Sequence, residues 1–543
     1  MSSKSESSVA SRGSAASSTL YVRQSSGLVR AISLPSAVAL NISGIGVIWL
    51  IFVATTEPAA FPGGSIVWST VIAGVLALFP ILLYGLFGSV MPRAGGDYVY
   101  VTRSLHPWLG FAVNFNFVAW ILMATAYGAS LIAPFSVSAA LSALGVSIHS
   151  DTLIAWAGAV ATPGWTFAFG AIALVLTALL LSFSLRHYIK VVIVLLVLSL
   201  VAAAVSIAIL LLHGRSDFVQ TVAEYGGNYA QIIATAHKAG YGGYGANSDP
   251  VATFVAFPLA FGALGYGILT AYMGGEVRNA RKTMLTGMVS ALVLGTVLGA
   301  VLMALADQTF GSDFLGSATS LSNAASKDYP FASPSSFFLF VSLLSHSSVV
   351  QVVLMICSIA ALVSTLPVGF LIVTRSMFAW SFDRVMPAKF SEVHPRTHSP
   401  LVANAVVMVV GLVFLAFLVF GQAWITQLLY TLAIGQAYSF IVIAVAGILF
   451  PWRQPHLFKA SSVNWSVAGV PVFSLLGLAA AIVYGLVLYL LLTNSSLGAN
   501  SPVGIKATLV IGAVAIVIWP ISYFANRARG VDLGLAFTSL PPE

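Results

Sequence analysis

Backbone groups rather than side chains are the chemistry this chain offers, and two glycine-interrupted stretches carry them. The first is Ser43, Gly44, Ile45 and Gly46. Unwinding there frees N–H groups at the start of the following half-helix. Those donors, at the positive end of a helix dipole, suit a carboxylate. An anion held this way needs no buried basic side chain, which is costly inside a bilayer. Close helix packing through small residues accounts equally well for Gly44 taken alone. The second stretch is 254–282, where Pro258, Gly262, Gly265 and Gly267 crowd what begins as an apolar span. In a helix interior Gly costs about 1 kcal/mol and Pro about 3 kcal/mol against Ala. Within hydrocarbon, irregular backbone survives only where protein or a watery cavity surrounds it. The composition therefore predicts two half-helices meeting at 261–267. The carbonyls of Phe261, Gly262, Ala263 and Leu264 would then be free to accept from an ammonium group. Phe254, Phe257, Phe261 and Tyr266 offer aromatic surface to an apolar side chain or a cation. Paired Gly-interrupted spans in two halves of a chain point to the substrate site of a secondary transporter.

Side-chain chemistry is sparse by comparison. Glu57 falls at the outer end of the first apolar span and Glu276 at the inner end of the sixth; the span centres hold no carboxylate and no base. A mid-membrane proton relay has nothing to stand on there. Ser364 and Thr365 precede Pro367 in the eighth span. Two hydroxyls with unwound carbonyls are hard oxygen ligands fit for Na⁺, and the same pair is fit to bond its own helix backbone beside a proline kink. The coupling ion, Na⁺ or H⁺, stays open. The nine histidines form no HExxH and no Cys/His cluster, and GxxxxGK[ST] is missing, so the sequence encodes no recognisable enzyme, cofactor site or nucleotide-driven pump. A lone cysteine, Cys357, excludes an intramolecular disulfide.

The elements that must position these residues are membrane helices. Of 543 residues 59% are hydrophobic and only 7% charged, with mean hydropathy +0.98, against about 25% charged in soluble proteins. Apolar runs of about 20 residues, the length that crosses a bilayer core, occupy 34–54, 66–90, 108–140, 165–185, 191–212, 251–275, 284–306, 336–372, 400–420, 424–450, 467–493 and 506–525. With the N-terminus inside, this order places all 23 Lys and Arg on the cytoplasmic side except Arg215, Lys238, Lys327 and Lys506. That is the positive-inside bias. It accounts for the net charge of +8 through topology, with no nucleic-acid partner. Residues 1–33, rich in Ser, Ala and Gly and without a signal-peptide pattern, read as a disordered cytoplasmic tail. The outer loops 213–250 and 307–334 read as solvated connectors, or as lids.

Three stretches resemble the amino acid permeases of the amino acid–polyamine–organocation superfamily. Ile42-Ser43-Gly44-Ile45-Gly46 is similar to that family's glycine-rich break. Met91-Pro92-Arg93-Ala94-Gly95-Gly96-Asp97-Tyr98 is similar to its P-x-x-G-G-x-Y signature, the most specific of the three. Gly275-Glu276-Val277-Arg278-Asn279-Ala280-Arg281-Lys282 resembles its E-E-[VI]-x-N-P-x-[KR]. The resemblance covers 28–450. It implies an all-α polytopic membrane protein of about twelve transmembrane helices. Two inverted five-helix repeats in a LeuT-like arrangement, 34–212 and 251–450, would form the transporter core, with two further helices and a short cytoplasmic tail over 451–543. It also implies a cell-membrane carrier that moves an amino acid by alternating access. Ser43, Gly44, Ile45 and Gly46 would hold the carboxylate. Phe261, Gly262, Ala263 and Leu264 would hold the amine and side chain, and Tyr127 or Trp120 would add a wall. The sequence departs from the family pattern at Ala280, where Pro is usual, and at Gly275, where a carboxylate is usual. The fifth span lacks the lysine that some proton-coupled members carry, since Lys190 stands at its cytoplasmic start. The scarcity of central charge favours a neutral substrate. A polyamine or other organic cation is the alternative ligand, a carrier-fold nutrient sensor the alternative role.

Overall fold

The computed structural model describes residues 30–244, 248–421, 423–531 and 533–537. The tail expected over 1–33 lies outside the described residues up to position 29, as does the end of the C-terminal tail from 538. From Leu34 onward the chain is helix after helix. α1 (Leu34–Ile45) and α2 (Val47–Ala60) meet at Gly46, followed by α3 (Ile66–Val90) and the short α4 (Asp97–Ser104). α5 (Pro107–Ser130) passes through a π-helical turn at Ala133–Val137 into α6 (Ser138–Ser147), and α7 (Asp151–Val160), α8 (Pro163–Ser182) and α9 (Leu185–Leu212) follow. α10 (Arg215–Glu224) and α11 (Tyr229–Lys238) precede a second broken pair, α12 (Pro250–Leu264) and α13 (Leu269–Tyr272). Then come α14 (Ala280–Thr309), α15 (Ser312–Asn323), α16 (Phe337–Leu344), α17 (Ser348–Phe382), α18 (Leu401–Phe420), α19 (Ala423–Arg453) and α20 (Pro455–Ala460). A two-residue hairpin pairs Ser466 with Pro471 and Val467 with Val470, before α21 (Val472–Thr493), α22 (Pro502–Ala528) and α23 (Leu533–Ala536). Among the described residues ten helices are long and apolar enough to cross a membrane: α3, α5 with α6, α8, α9, α14, α17, α18, α19, α21 and α22. The two broken pairs stand beside them as shorter apolar helices.

The structure shifts several expected boundaries. The eighth apolar run, placed at 336–372, is two helices, and the second continues to Phe382. Gln351 explains the division: its Nε2 donates to the carbonyls of Ser342 and Ser345, ending α16. The basic linker expected at 186–190 is the first turn of α9, and the separation from α8 is Phe183–Ser184. The segments 213–250 and 307–334 are not plain connectors. α10, α11 and α15 build a packed layer in which Phe218, Phe310, Phe314 and Phe340 are fully buried against one another. Trp68, Trp108, Trp156, Trp165, Trp452 and Trp465 are exposed near helix ends, as an interfacial belt requires. Trp380 instead is buried, donating through Nε1 to Asn114 at 2.7 Å.

Lipid tails are as apolar as leucine, so helices in a bilayer are held by close packing and interhelical hydrogen bonds. α3 lies along α14, α21 along α19, and α17 against α5 and α9. At Gly477 of α21 an added Cβ would come within 2.6 Å of the Ile448 nitrogen on α19. α1 is enclosed by α14, α9 and α17, which places the first break deep in the bundle.

Candidate functional site

The first break is made by one residue. α1 ends as the Gly46 N–H reaches the carbonyl of Ile42 at 2.9 Å, and Gly46 takes φ +64°, a conformation that glycine adopts without the penalty other residues carry. A Cβ on Gly46 would also meet the Trp49 ring at 2.7 Å and the Thr365 methyl at 2.8 Å. α2 starts immediately after: the Trp49 N–H turns back to the Gly46 carbonyl at 2.9 Å, and the N–H groups of residues 47 and 48 ahead of it have no carbonyl of their own helix to reach.

The second break lies later than the composition suggested. α12 stays helical through Leu264, and the unwound residues are 265–268. The N–H groups of Gly265, Tyr266 and Gly267 bond the carbonyls of Phe261, Ala263 and Leu264, so these three carbonyls are already engaged. Pro258 is absorbed inside α12, and the glycines that unwind the chain are Gly265 and Gly267.

The two breaks are tied directly to each other. The side-chain amide of Asn41 donates to Thr270 Oγ1 at 3.1 Å, while its oxygen accepts from the Thr270 N–H at 3.0 Å; both residues are fully buried. Gly44 faces the carbonyl oxygen of Tyr266. Beside this junction lies a cavity of about 270 Å³, lined from α2 by Trp49, Phe52, Val53 and Thr56 and from α5 by Ile121, Thr125 and Tyr127. α12 and the second break contribute Leu259, Gly262, Ala263 and Tyr266; Thr365 and Ile372 of α17 and Gln436 of α19 close the far side. Among the described residues no charged side chain lines it. Its walls are apolar, with hydroxyls and one amide as polar points. The Tyr127 ring lies against Trp49, centroids 5.9 Å apart.

Of the residues singled out in the sequence, Gly44, Pro258, Gly262, Ala263, Tyr266, Tyr127 and Thr365 reach this cavity, and Gly46 backs onto two of its lining side chains. Ser43, Ile45, Phe261, Leu264 and Ser364 are buried away from it. The Phe261 ring packs against Phe257 and Tyr484, and Trp120 donates to Asn116 at 3.2 Å. Ser43 keeps a buried hydroxyl for which no described residue is a partner. Ser364 and Thr365 each donate to their own helix, to the carbonyls of Ala361 and Leu362, at 2.8 Å. Residue-by-residue reading missed Phe52, Thr125 and Gln436. A glutamine inside the apolar α19 was the available signal for the last.

The end of the bundle that carries the glycine-rich loop is held by polar pairs. Arg375 of α17 pairs with Glu276 at 2.7 Å and Arg103, after the glycine-rich loop, pairs with Asp383 at 2.7 Å; all four side chains are nearly inaccessible. The loop before α4 docks on the end of the second broken helix: the Gly95 N–H donates to the Tyr272 carbonyl at 3.1 Å, and a Cβ on Gly274 would meet the Arg93 nitrogen at 2.5 Å. Ile32 pairs with Val277, joining the entry to α1 to the exit from α13. The glycine-rich loop and the start of the third resemblance motif therefore meet here, with the entry to α1 joined to them. On α4, between the membrane-crossing helices, burial pushes the Asp97 carboxyl up to about 7, opposed by the nearby Tyr272 hydroxyl and the Asn114 amide.

A family model described as amino acid permease matches residues 32–520. The branched-chain amino acid permease BcaP of Bacillus subtilis (strain 168) is 25% identical over 488 residues, covering 88% of this chain and 91% of that protein.

Proposed function

The chain belongs to the amino acid permease family, a family of membrane transporters rather than enzymes, and on that premise we propose that it carries neutral, apolar amino acids across the cell membrane by alternating access. The observation that carries this reading is the uncharged, largely apolar cavity beside the two broken helices. A zwitterion can place its carboxylate at the first-turn N–H groups of α2 and its ammonium against backbone carbonyls and hydroxyls, leaving its side chain among Trp49, Phe52, Ile121 and Ile372. A dibasic or dicarboxylic substrate would leave its extra charge unpaired there, which is costly. A polyamine would find no carboxylate among the described lining residues. The relative named for branched-chain amino acids points the same way.

In this reading the broken pair α1–α2 with α3, α5, α8 and α9 forms one five-helix repeat. The pair α12–α13 with α14, α17, α18 and α19 forms its inverted counterpart, and α21 and α22 are additions. The Lys and Arg distribution supports both termini in the cytoplasm. The test is uptake of a labelled amino acid panel into proteoliposomes, with and without Na⁺ and pH gradients. Saturable uptake of neutral amino acids is expected. Transport confined to lysine, arginine, glutamate or polyamines refutes the substrate class, and binding without flux under any gradient refutes carriage.

A further inference from the structure

Glu57 lies in the last turn of α2, next to the cavity-lining Thr56. Its side chain is wholly buried, and no described residue donates to either carboxyl oxygen. Ser69 faces it from α3 but gives its hydroxyl to the carbonyl of Ile66 at 3.1 Å. Tyr244, in the outer segment, also faces Glu57, and its hydroxyl donates to the Gly64 carbonyl at 3.1 Å.

The charged groups on the elements packed around α2 are committed elsewhere or stand at the far end of their helices, as Arg186, His187 and Lys190 of α9 and Arg281 and Lys282 of α14 do. Asp313 of α15 meets His237 at 3.0 Å, and Asp307 of α14 accepts from the Ser312 N–H. Asp249 caps the start of α12 through the Val251 N–H, and Arg375 of α17 pairs with Glu276 on the cytoplasmic side. At the outer end of α9, the His213 ring bonds the Ile209 carbonyl at 2.9 Å. α1, α3, α12 and α16 contain no Asp, Glu, Lys, Arg or His. Glu57 thus has neither a counter-charge nor a donor among the described residues. A carboxylate deprived of water, donors and a cation is unfavourable, whereas the neutral acid is tolerated.

α2 is the outer half of a broken helix, pressed against α15 and α12. Any opening of the cavity toward the outside has to separate α2 from that layer, and separation brings water to Glu57. We propose that Glu57 is a proton-binding site that gates the outer side of this carrier. On closing, a carboxylate oxygen takes a proton from the external water. On opening, the O–H bond breaks and water receives the proton. The ligand is the proton, and the site is distinct from the amino acid cavity. It supplies a titratable group where the span centres offer none. The inference rests on the transport reading above.

The experiment is counterflow in proteoliposomes with labelled leucine, isoleucine, valine, alanine and phenylalanine, following whichever moves fastest. Internal pH is held constant while external pH is stepped from about 5 to about 9. For the wild-type protein the rate is expected to fall at least about fivefold as external pH rises, because the ionised carboxyl resists closure. For E57Q the profile is expected to be flat. A wild-type profile that is already flat overturns the proposal whether or not the variant folds, and an E57Q profile that keeps the wild-type fall also overturns it. If none of these amino acids moves at any pH, the transport reading fails and takes the proposal with it. Flux with a flat profile removes only the role of Glu57.

Discussion

The carbonyl oxygen of Tyr266 occupies the space in front of Gly44, so that a Cβ at position 44 would sit 2.6 Å from it. The two broken helices touch there through bare backbone, with no side chain between them. G44A is therefore expected to push the breaks apart, at a cost of about 1–3 kcal/mol for overpacking. A lower melting temperature in detergent and reduced uptake in proteoliposomes would register it. A variant with unchanged stability and uptake would show that the junction is loose.

Asn41 is the second tie between the breaks, bonding both the N–H and the hydroxyl of Thr270 in a fully buried setting. N41A leaves the Thr270 N–H without its acceptor, a loss of about 1–3 kcal/mol. N41D keeps an acceptor for that N–H and is expected to lose less in a neutral carboxyl form. Thermal unfolding of the three proteins side by side ranks them, and equal melting temperatures for N41A and the parent would refute the brace.

Arg375 and Glu276 form a buried pair in which neither member tolerates solitude. R375M strands the Glu276 carboxylate and is expected to cost roughly 3–5 kcal/mol. Replacing both residues, as R375M with E276L, removes the stranded charge and is expected to recover most of that loss. The double-mutant cycle measures it. Recovery confined to a small fraction would mean that other partners carry the contact.

Asp97 sets a pH dependence whose sign follows from its burial. Its carboxyl is pushed from an ordinary 3.8 up to about 7, so between those values the folded protein holds a proton that the unfolded chain has released. Stability on this account is greatest below about pH 4, falls as pH rises through the window, and levels off above about 7. D97N carries no such titration, so its stability relative to the parent should improve from about pH 4 to about pH 7 and change little above that. Parallel stability curves for the two proteins would remove Asp97 from this role.

Much of the architecture was legible because hydrocarbon imposes simple demands. Runs of the length needed to cross a bilayer and Gly46 at the first break are each local properties of the chain, and most of the long helices lie on those runs. The exact place of the second break was not local. Pro258 and Gly262 look like breakers in isolation, yet packing keeps α12 helical through both and transfers the unwinding to Gly265 and Gly267. Phe261 read as a ligand wall for the same reason, and its ring packs instead against Tyr484, over two hundred positions away.

Composition and periodicity thus decided that this is a multi-spanning helical protein with two helix interruptions, since each follows from the free energy of a short segment in lipid. Tertiary structure decided which groups share the cavity, that Gly44 meets Tyr266, that Asn41 grips Thr270, and that Glu57 is left without a partner among the described residues. Those are contacts between segments distant in sequence, and only the packing of the whole bundle sets the distances and the dielectric in which they act.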